Sequence, residues 1–205
     1  GALVIDMGGG TTDFLVYREG TVQSSGVIAV GGEHITNDIA LGLKIPNNRA
    51  EQLKIEHGSV VVPATNELIT FKREVGLPDL QVSHRQLCRV MHLRVEETLT
   101  LIKRELEKQD LLAYLGAGVF ITGGCARLRG LASLAGDVFG LPVHVGHSQT
   151  VGGPISAIES PEYSTAIGLV RFARGGQRDQ HHAPTPWDWM RDKIRGAVAK
   201  VRAFL

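Results

Sequence analysis

The chain has 205 residues, 43% of them apolar and 21% charged, with a net charge of +1 at neutral pH. Those proportions allow a packed core and exclude a disordered polyelectrolyte, and no run approaches the ~18 apolar residues of a membrane span. One full domain, or one with appendages, is the expectation at this length. The charge is uneven: seven basic and three acidic residues give positions 173–205 a charge of +4, leaving −3 for the rest. A mildly acidic body with a basic tail points to an anionic partner for the tail. Cys88 and Cys125 share no metal-ligand spacing and read as reduced thiols of a cytosolic protein. No signal peptide is recognised at the start, and the chain opens at Gly1 directly in strand-like residues, which reads as the carboxy-terminal part of something longer.

Ala2-Leu3-Val4-Ile5 and Phe14-Leu15-Val16-Tyr17 flank Asp6-Met7-Gly8-Gly9-Gly10-Thr11-Thr12-Asp13, which reads as strand, glycine loop, strand. Three consecutive glycines turn without a Cβ in the way, and amides converging in such a loop make an anion nest. Thr11 and Thr12 add hydroxyls, and Asp6 at the strand end is placed to hold a hydrated Mg²⁺, so a triphosphate is a natural guest. A plain glycine-rich turn with capping hydroxyls is the alternative.

Thr21 to Val30 reads as a third strand, broken by Gly31-Gly32, which opens a helix with Ile35, Ile39, Ala40 and Leu43 at helical spacing. Pro46-Asn47-Asn48 ends it, and Asn48 is the expected cap of a helix from Arg49 to about His57. That helix places Glu51 and Lys54 on one face, either as a solvated pair or as ligand contacts. Val60–Val62 and Glu67–Phe71 read as short strands around Pro63. Ser83 to Lys108 reads as a long helix with Leu87, Val90, Met91, Val95, Leu99, Ile102 and Leu106 in one stripe, Met91 being core rather than ligand. Gly118–Thr122 reads as a buried strand entering Gly123-Gly124, with a helix through Leu128, Leu131, Leu134, Ala135 and Phe139. Leu141–Val145 and a last helix from Pro161 through Phe172 complete the body.

Residues 173–186 read as a flexible linker, with His181-His182 simply solvated. In residues 187–205 the apolar side chains Trp187, Met190, Ile194, Ala197, Val198, Val201, Phe204 and Leu205 fall within an arc of roughly 120° at 100° per residue. Arg191, Arg195 and Arg202 flank one side of the arc, Lys193 and Lys200 the other, and Trp187 and Trp189 suit an interface. That is the layout of a helix lying in an anionic membrane surface, with a groove on a partner or on the body as the alternative.

Four segments together resemble the actin-like ATPase superfamily: Asp6-x-Gly8-Gly9-Gly10-Thr11-Thr12-Asp13, Gly31-Gly32-Glu33-x-x-Thr36-x-Asp38-Ile39-Ala40, Ala50-Glu51-x-x-Lys54, and Thr122-Gly123-Gly124. Within it the chain most resembles the FtsA family of bacterial cell-division proteins. The Gly31–Ala40 segment, Ile121-Thr122-Gly123-Gly124-Cys125-Ala126-Arg127-Leu128-x-Gly130-Leu131 and the tail carry that likeness. The resemblance implies an α/β fold: the second lobe of an actin-like, ribonuclease H-like ATPase over residues 1–172, with the first lobe upstream. A subdomain 2B would be inserted in 2A at about 35–108. ATP with Mg²⁺ is the implied cofactor. Gly8, Gly9, Gly10, Thr11 and Thr12 would form a phosphate loop, and Asp6 would hold Mg²⁺ through water. Gly32 would belong to the same site, Glu51 and Lys54 would meet ribose and adenine, Gly123 and Gly124 the adenosine, and Arg127 the base.

The resemblance further implies a scaffold that polymerises and tethers FtsZ filaments to the cytoplasmic face of the membrane at the division site, at most a weak ATPase. The FtsZ C-terminal peptide would meet Arg94 and Glu97. Anionic lipids would meet Trp187, Trp189, Met190, Arg191, Ile194, Arg195, Val198, Val201 and Phe204. The remaining partners would be copies of itself and other divisome proteins, and no nucleic acid is expected. Half of a sugar or metabolite kinase of the same superfamily is the alternative.

Overall fold

A computed structural model describes residues 1–71, 79–146 and 160–180, with the side chains of 175–180 left aside. Gly1–Ser164 form one compact unit and Thr165–Leu205 a second.

The hairpin at the start is as expected. Strand β1 (Ala2–Met7) pairs antiparallel with β2 (Thr12–Arg18), Met7 opposite Thr12, so Gly8–Thr11 make the turn. Leu3, Ile5 and Met7 are buried, alternating with partly exposed neighbours as a pleated strand over a core requires. β3 (Thr21–Ile28) pairs antiparallel with β2 and forms one edge. β6 (Val119–Thr122) and β7 (Val143–Val145) add parallel to β1 on its other side, giving the order β3-β2-β1-β6-β7. Asp6 lies opposite Thr122 in the parallel pair. The glycines after β1 and those after β6 therefore leave the same end of the sheet, the usual place for ligands in α/β folds.

Between β3 and β6 the chain builds α1 (Gly32–Leu43), α2 (Asn47–His57), a hairpin of β4 (Leu68–Phe71) with β5 (Leu80–Ser83), and α3 (His84–Lys108). Ser83 caps α3, its hydroxyl accepting from the Gln86 N–H at 3.0 Å. Leu87, Met91, Val95, Leu99, Ile102 and Leu106 are all fully buried, so the long helix presses one stripe into the core; Val90, expected in that stripe, is only partly buried. Truncating a member such as Leu99 to Ala would cost about 2–5 kcal/mol. Lys103 reaches the Val138 carbonyl near the end of α4 (Leu131–Phe139) at 2.7 Å. The last described helix is α5 (Ser164–Gln180), preceded by a 3₁₀ turn at Pro161–Tyr163.

Several boundaries differ from the sequence reading. α1 ends when Lys44 enters the left-handed region at φ 53°, before Pro46 is reached. Pro46, not Asn48, is the N-cap of α2, and its carbonyl accepts from the Arg49 and Ala50 N–H groups, both at 3.0 Å. Val60–Val62 is no strand: the Val60 N–H donates to the Arg129 carbonyl and its own carbonyl meets His92 Nδ1, partners outside any ladder. A 3₁₀ turn, Gly124–Arg127, begins within the glycine pair and precedes α4, whose first residue is Leu131. α5 continues to Gln180, into the stretch read as linker. Gly175 and Gly176 each weaken a helix by about 1 kcal/mol but do not block it as proline does. The rest of that stretch and the amphipathic segment 187–205 lie outside the described residues. Among the described residues no helix is long and apolar enough to cross a membrane.

Candidate functional site

The glycine turn and the start of α1 are docked backbone to backbone. The Gly8 N–H closes the turn on the Thr11 carbonyl at 2.9 Å. The carbonyls of Gly8 and Gly9 accept from the N–H groups of Gly32 and Glu33, at 2.9 and 2.8 Å. Those two amides open a helix and have no partner within it, so the loop satisfies them. Gly31 lies in the contact, and a Cβ there would sit 2.5–2.7 Å from backbone atoms of Gly8 and Gly9. Gly9 and Gly10 are exposed, and a Cβ on Gly10 would meet nothing within 4 Å. Thr11 is exposed and donates to the Asp13 carboxylate at 3.1 Å. Thr12 is fully buried, its hydroxyl donating to the Val30 carbonyl at 2.7 Å, so any ligand contact from it falls to its backbone.

Facing the loop is a polar cluster between α1 and α2. Lys54 is nearly buried, its side chain 10% exposed, and its ammonium donates to Glu51 Oε2 (2.7 Å), Thr36 Oγ1 (2.8 Å) and the Gly32 carbonyl (3.0 Å). The Thr36 hydroxyl has both Glu51 Oε2 and the Gly32 carbonyl within reach of its single proton, and Glu51 Oε2 is the nearer. Burial alone would raise the Glu51 carboxyl. Hydrogen bonds from Lys54 and Thr36, with the Lys54 charge, outweigh it and hold the group below the usual carboxylate range. Glu51 is thus a half-exposed carboxylate fixed in place, able to accept from hydroxyls of a ligand.

The third side is the segment after β6. Gly123 sits at φ 85°, and a Cβ there would run into the Asp6 carboxylate and the Met7 backbone, so glycine is required on both counts. Its N–H donates to the Pro161 carbonyl at 3.2 Å. Gly124 borders open space. The Cys125 thiol donates to the Gly8 carbonyl at 3.3 Å, tying the two glycine segments together, and burial pushes its pKa up. Arg127 holds Glu162 with two bonds, 3.0 and 2.8 Å, and Ser160 with a third at 3.0 Å.

These three sides enclose a cleft of about 830 Å³. Gly8, Gly9, Gly32, Glu51, Lys54, Gly124 and Arg127, read separately from the sequence, all line it. Asp6, Gly10, Thr11, Thr12 and Gly123 stand behind or beside that lining rather than in it. Asn47, Asn48, Ile55 and Arg129 line it without having been anticipated as site residues, as does Glu33, which the sequence marked only as part of a motif. Thr36 lay within a quoted motif, but its part in joining Glu51 to Lys54 shows only in three dimensions. The volume lies in the range of small-molecule sites, roughly 300–1,000 Å³. Among the described residues no group of three or more His, Cys, Asp or Glu could hold a metal ion unaided.

Arg94 and Glu97 do come together, on the outer side of α3. Arg94 forks onto Asp38 of α1 (2.5 and 3.0 Å) and reaches Glu97 at 2.6 Å. They border a groove of about 600 Å³ with Val90, Leu93 and Leu101.

A mixed sheet with its first three strands antiparallel, helices inserted after the hairpin, and two glycine segments at one end of β1 and β6 defines an actin-like ATPase fold. Solved structures with the same fold include MreB5 of Spiroplasma citri bound to ADP (TM-score 0.72, 23% identity, 89% of this chain and 56% of that one). A PilM–PilN type IV pilus biogenesis complex also matches (TM-score 0.60, 20% identity, 82% and 44%). The family model "Cell division protein FtsA" matches residues 3–168, and the chain belongs to that family. Similar relatives are the FtsA proteins of Pseudomonas aeruginosa (32% identical over 181 residues, 87% of this chain, 43% of the relative) and of Neisseria meningitidis (36% over 176 residues, 84% and 42%). The FtsA of Escherichia coli K12 is 32% identical over 183 residues, 85% of this chain and 44% of the relative. The chain therefore spans less than half the length of these relatives.

Proposed function

We propose that this chain is the second lobe of an ATP-binding cell-division scaffold, with the 830 Å³ cleft as its share of the nucleotide site. The observation that carries the proposal is the convergence of four sequence-distant segments on one cleft, with Glu51 fixed as a carboxylate by a nearly buried Lys54. Structures of an MreB of the same fold bound to ADP and to AMPPNP support an adenine nucleotide as the ligand. The residues fit one. Glu51 would accept from ribose hydroxyls, Lys54 would keep it ionised, and the side-chain-free wall of Gly8, Gly9, Gly32 and Gly124 lets phosphates approach the backbone. Asp6 is one carboxylate at the end of β1, in keeping with a Mg²⁺ that relies mostly on water and phosphate oxygens. Bound Mg²⁺ would supply charge compensation for the phosphates that no cation of the glycine wall provides.

ATP acts here as an assembly ligand rather than a fast substrate. Family membership supports the remaining roles: end-to-end polymerisation, contact with the FtsZ C-terminal peptide near Arg94 and Glu97, and contact with other divisome proteins. Attachment of residues 187–205 to anionic lipid rests on their charge and apolar pattern. Subdomain 2B at about 35–108 within 2A likewise belongs to this proposal.

Calorimetry tests the nucleotide site. A protein joining this chain to a first lobe should bind ATP in a Mg²⁺-dependent manner, while the 205-residue chain alone binds weakly or not at all, because half the contacts are absent. Tight binding by this chain alone would overturn the two-lobe account. Undiminished binding after Lys54→Met would overturn the assignment of the cleft.

A further inference from the structure

The cleft has a support that none of its motifs contains. Residues Ser160–Ser164, just ahead of α5, are fastened to the back of β6 and the turn that follows it. The Pro161 carbonyl accepts from the Gly123 N–H (3.2 Å) and the Thr122 hydroxyl (3.0 Å), and Thr122 and Ser164 share a hydroxyl contact at 2.5 Å. Arg127 joins this segment to the cleft lining: it borders the cleft and grips Glu162 and Ser160 with its guanidinium.

An arginine left alone on a surface samples many rotamers, and a ligand that uses it must order it first. Glu162 removes much of that freedom. Its two oxygens meet Nε and Nη2 in a fork that fixes the plane of the guanidinium, with Ser160 as a third point. A planar, oriented cation at the edge of a nucleotide cleft can lie against an aromatic base. Hydrogen bonds from Arg127, the largest effect, then one from its own backbone N–H and the Arg127 charge, keep Glu162 ionised against a smaller cost of burial, holding its carboxyl below the usual range.

We infer that Glu162 is a positioning residue for nucleotide binding: it acts through Arg127 to orient the guanidinium toward the base end of the cleft. The inference rests on the nucleotide assignment of the cleft, and the two are separable by experiment. It also makes Ser160–Ser164 part of the site, so that a ligand pressing on Arg127 and the fastening of this segment affect one another.

The test is a titration of the two-lobed protein with Mg·ATP and, separately, with Mg·tripolyphosphate, which lacks the base. Arg127 and Glu162 are 59% and 36% exposed, so a surface-type interaction sets the scale, and Glu162→Gln should weaken ATP binding about two- to fivefold. Tripolyphosphate binding should be unchanged, and in an Arg127→Ala background Glu162→Gln should have no further effect. As the pH is lowered through the carboxyl titration of Glu162, ATP affinity of the parent should approach that of Glu162→Gln. Equal ATP affinity of parent and Glu162→Gln would overturn the inference. So would equal losses for ATP and tripolyphosphate, which mark a general loosening, or additive effects of the two substitutions. A parent that binds no ATP at all would overturn the nucleotide assignment itself, and the inference with it.

Discussion

Gly31→Ala should be among the most damaging single-methyl additions in this chain. Gly31 is extended (φ −155°, ψ −161°), a conformation alanine adopts freely, so the cost is steric and not conformational. The added Cβ would stand 2.5–2.7 Å from the backbone of Gly8 and Gly9, where ordinary contact needs about 3.5 Å, so loop and helix must separate by about 1 Å. Backbone cannot swing aside as a side-chain tip can. The separation would break or stretch the bonds from Gly32 and Glu33 to Gly8 and Gly9, worth about 1 kcal/mol each. Overpacking adds about 1–3 kcal/mol, for a total of about 3–5 kcal/mol. Urea unfolding of the chain followed by circular dichroism measures it, and with m near 1–3 kcal/mol/M the midpoint should fall by about 1 M or more. A loss below about 1 kcal/mol would refute the docking of loop on helix as described.

Three further outcomes follow from the same geometry. Thr12→Val keeps the shape but strands the Val30 carbonyl, and should cost about 1–2 kcal/mol in the same unfolding assay; a neutral result would mean that the buried hydroxyl bond is not made. Glu51 has a folded-state pKa below its ordinary 4.5, so its stabilising effect is present above that value and is lost as pH falls through the lowered one. The stability gap between the parent and Glu51→Gln should accordingly be constant near neutrality and shrink below pH 4.5, and a gap that widens on acidification would reverse the assignment of the Glu51–Lys54 pair. Removal of residues 187–205 should abolish flotation with vesicles rich in anionic lipid, and equal flotation of both forms would sink the tether.

What could be read from the sequence was whatever is encoded locally. The β1–β2 hairpin shows in two apolar runs around three glycines, α1 in Ile35, Ile39 and Leu43, and α3 in an apolar stripe sustained from Leu87 to Leu106. Elements defined by distant partners were not legible. Val60 looks like a strand residue by composition, yet its backbone is satisfied by Arg129 and His92, far along the chain. β5 carries one buried residue, Val82, too little to give a period, and exists because Leu68–Phe71 pairs with it. α5 runs on through Gly175 and Gly176 into the stretch whose composition read as linker.

The site divides the same way. Glu51 and Lys54 meet because they are three residues apart on a helix, and the glycine segments announce themselves by composition. The Thr36 bridge, the Cys125 bond to Gly8 and the Glu162 hold on Arg127 span 15 to 117 residues of sequence and leave no mark in it.

Hydrogen exchange of the two-lobed protein, with and without Mg·ATP, tests the central proposal most directly because it locates the ligand as well as detecting it. Slowed exchange is predicted together in the segments around Gly8–Gly10, Gly32–Thr36, Glu51–Lys54 and Gly124–Arg127, four stretches adjacent only in this cleft. ATP binding that leaves all four unprotected would contradict the assignment.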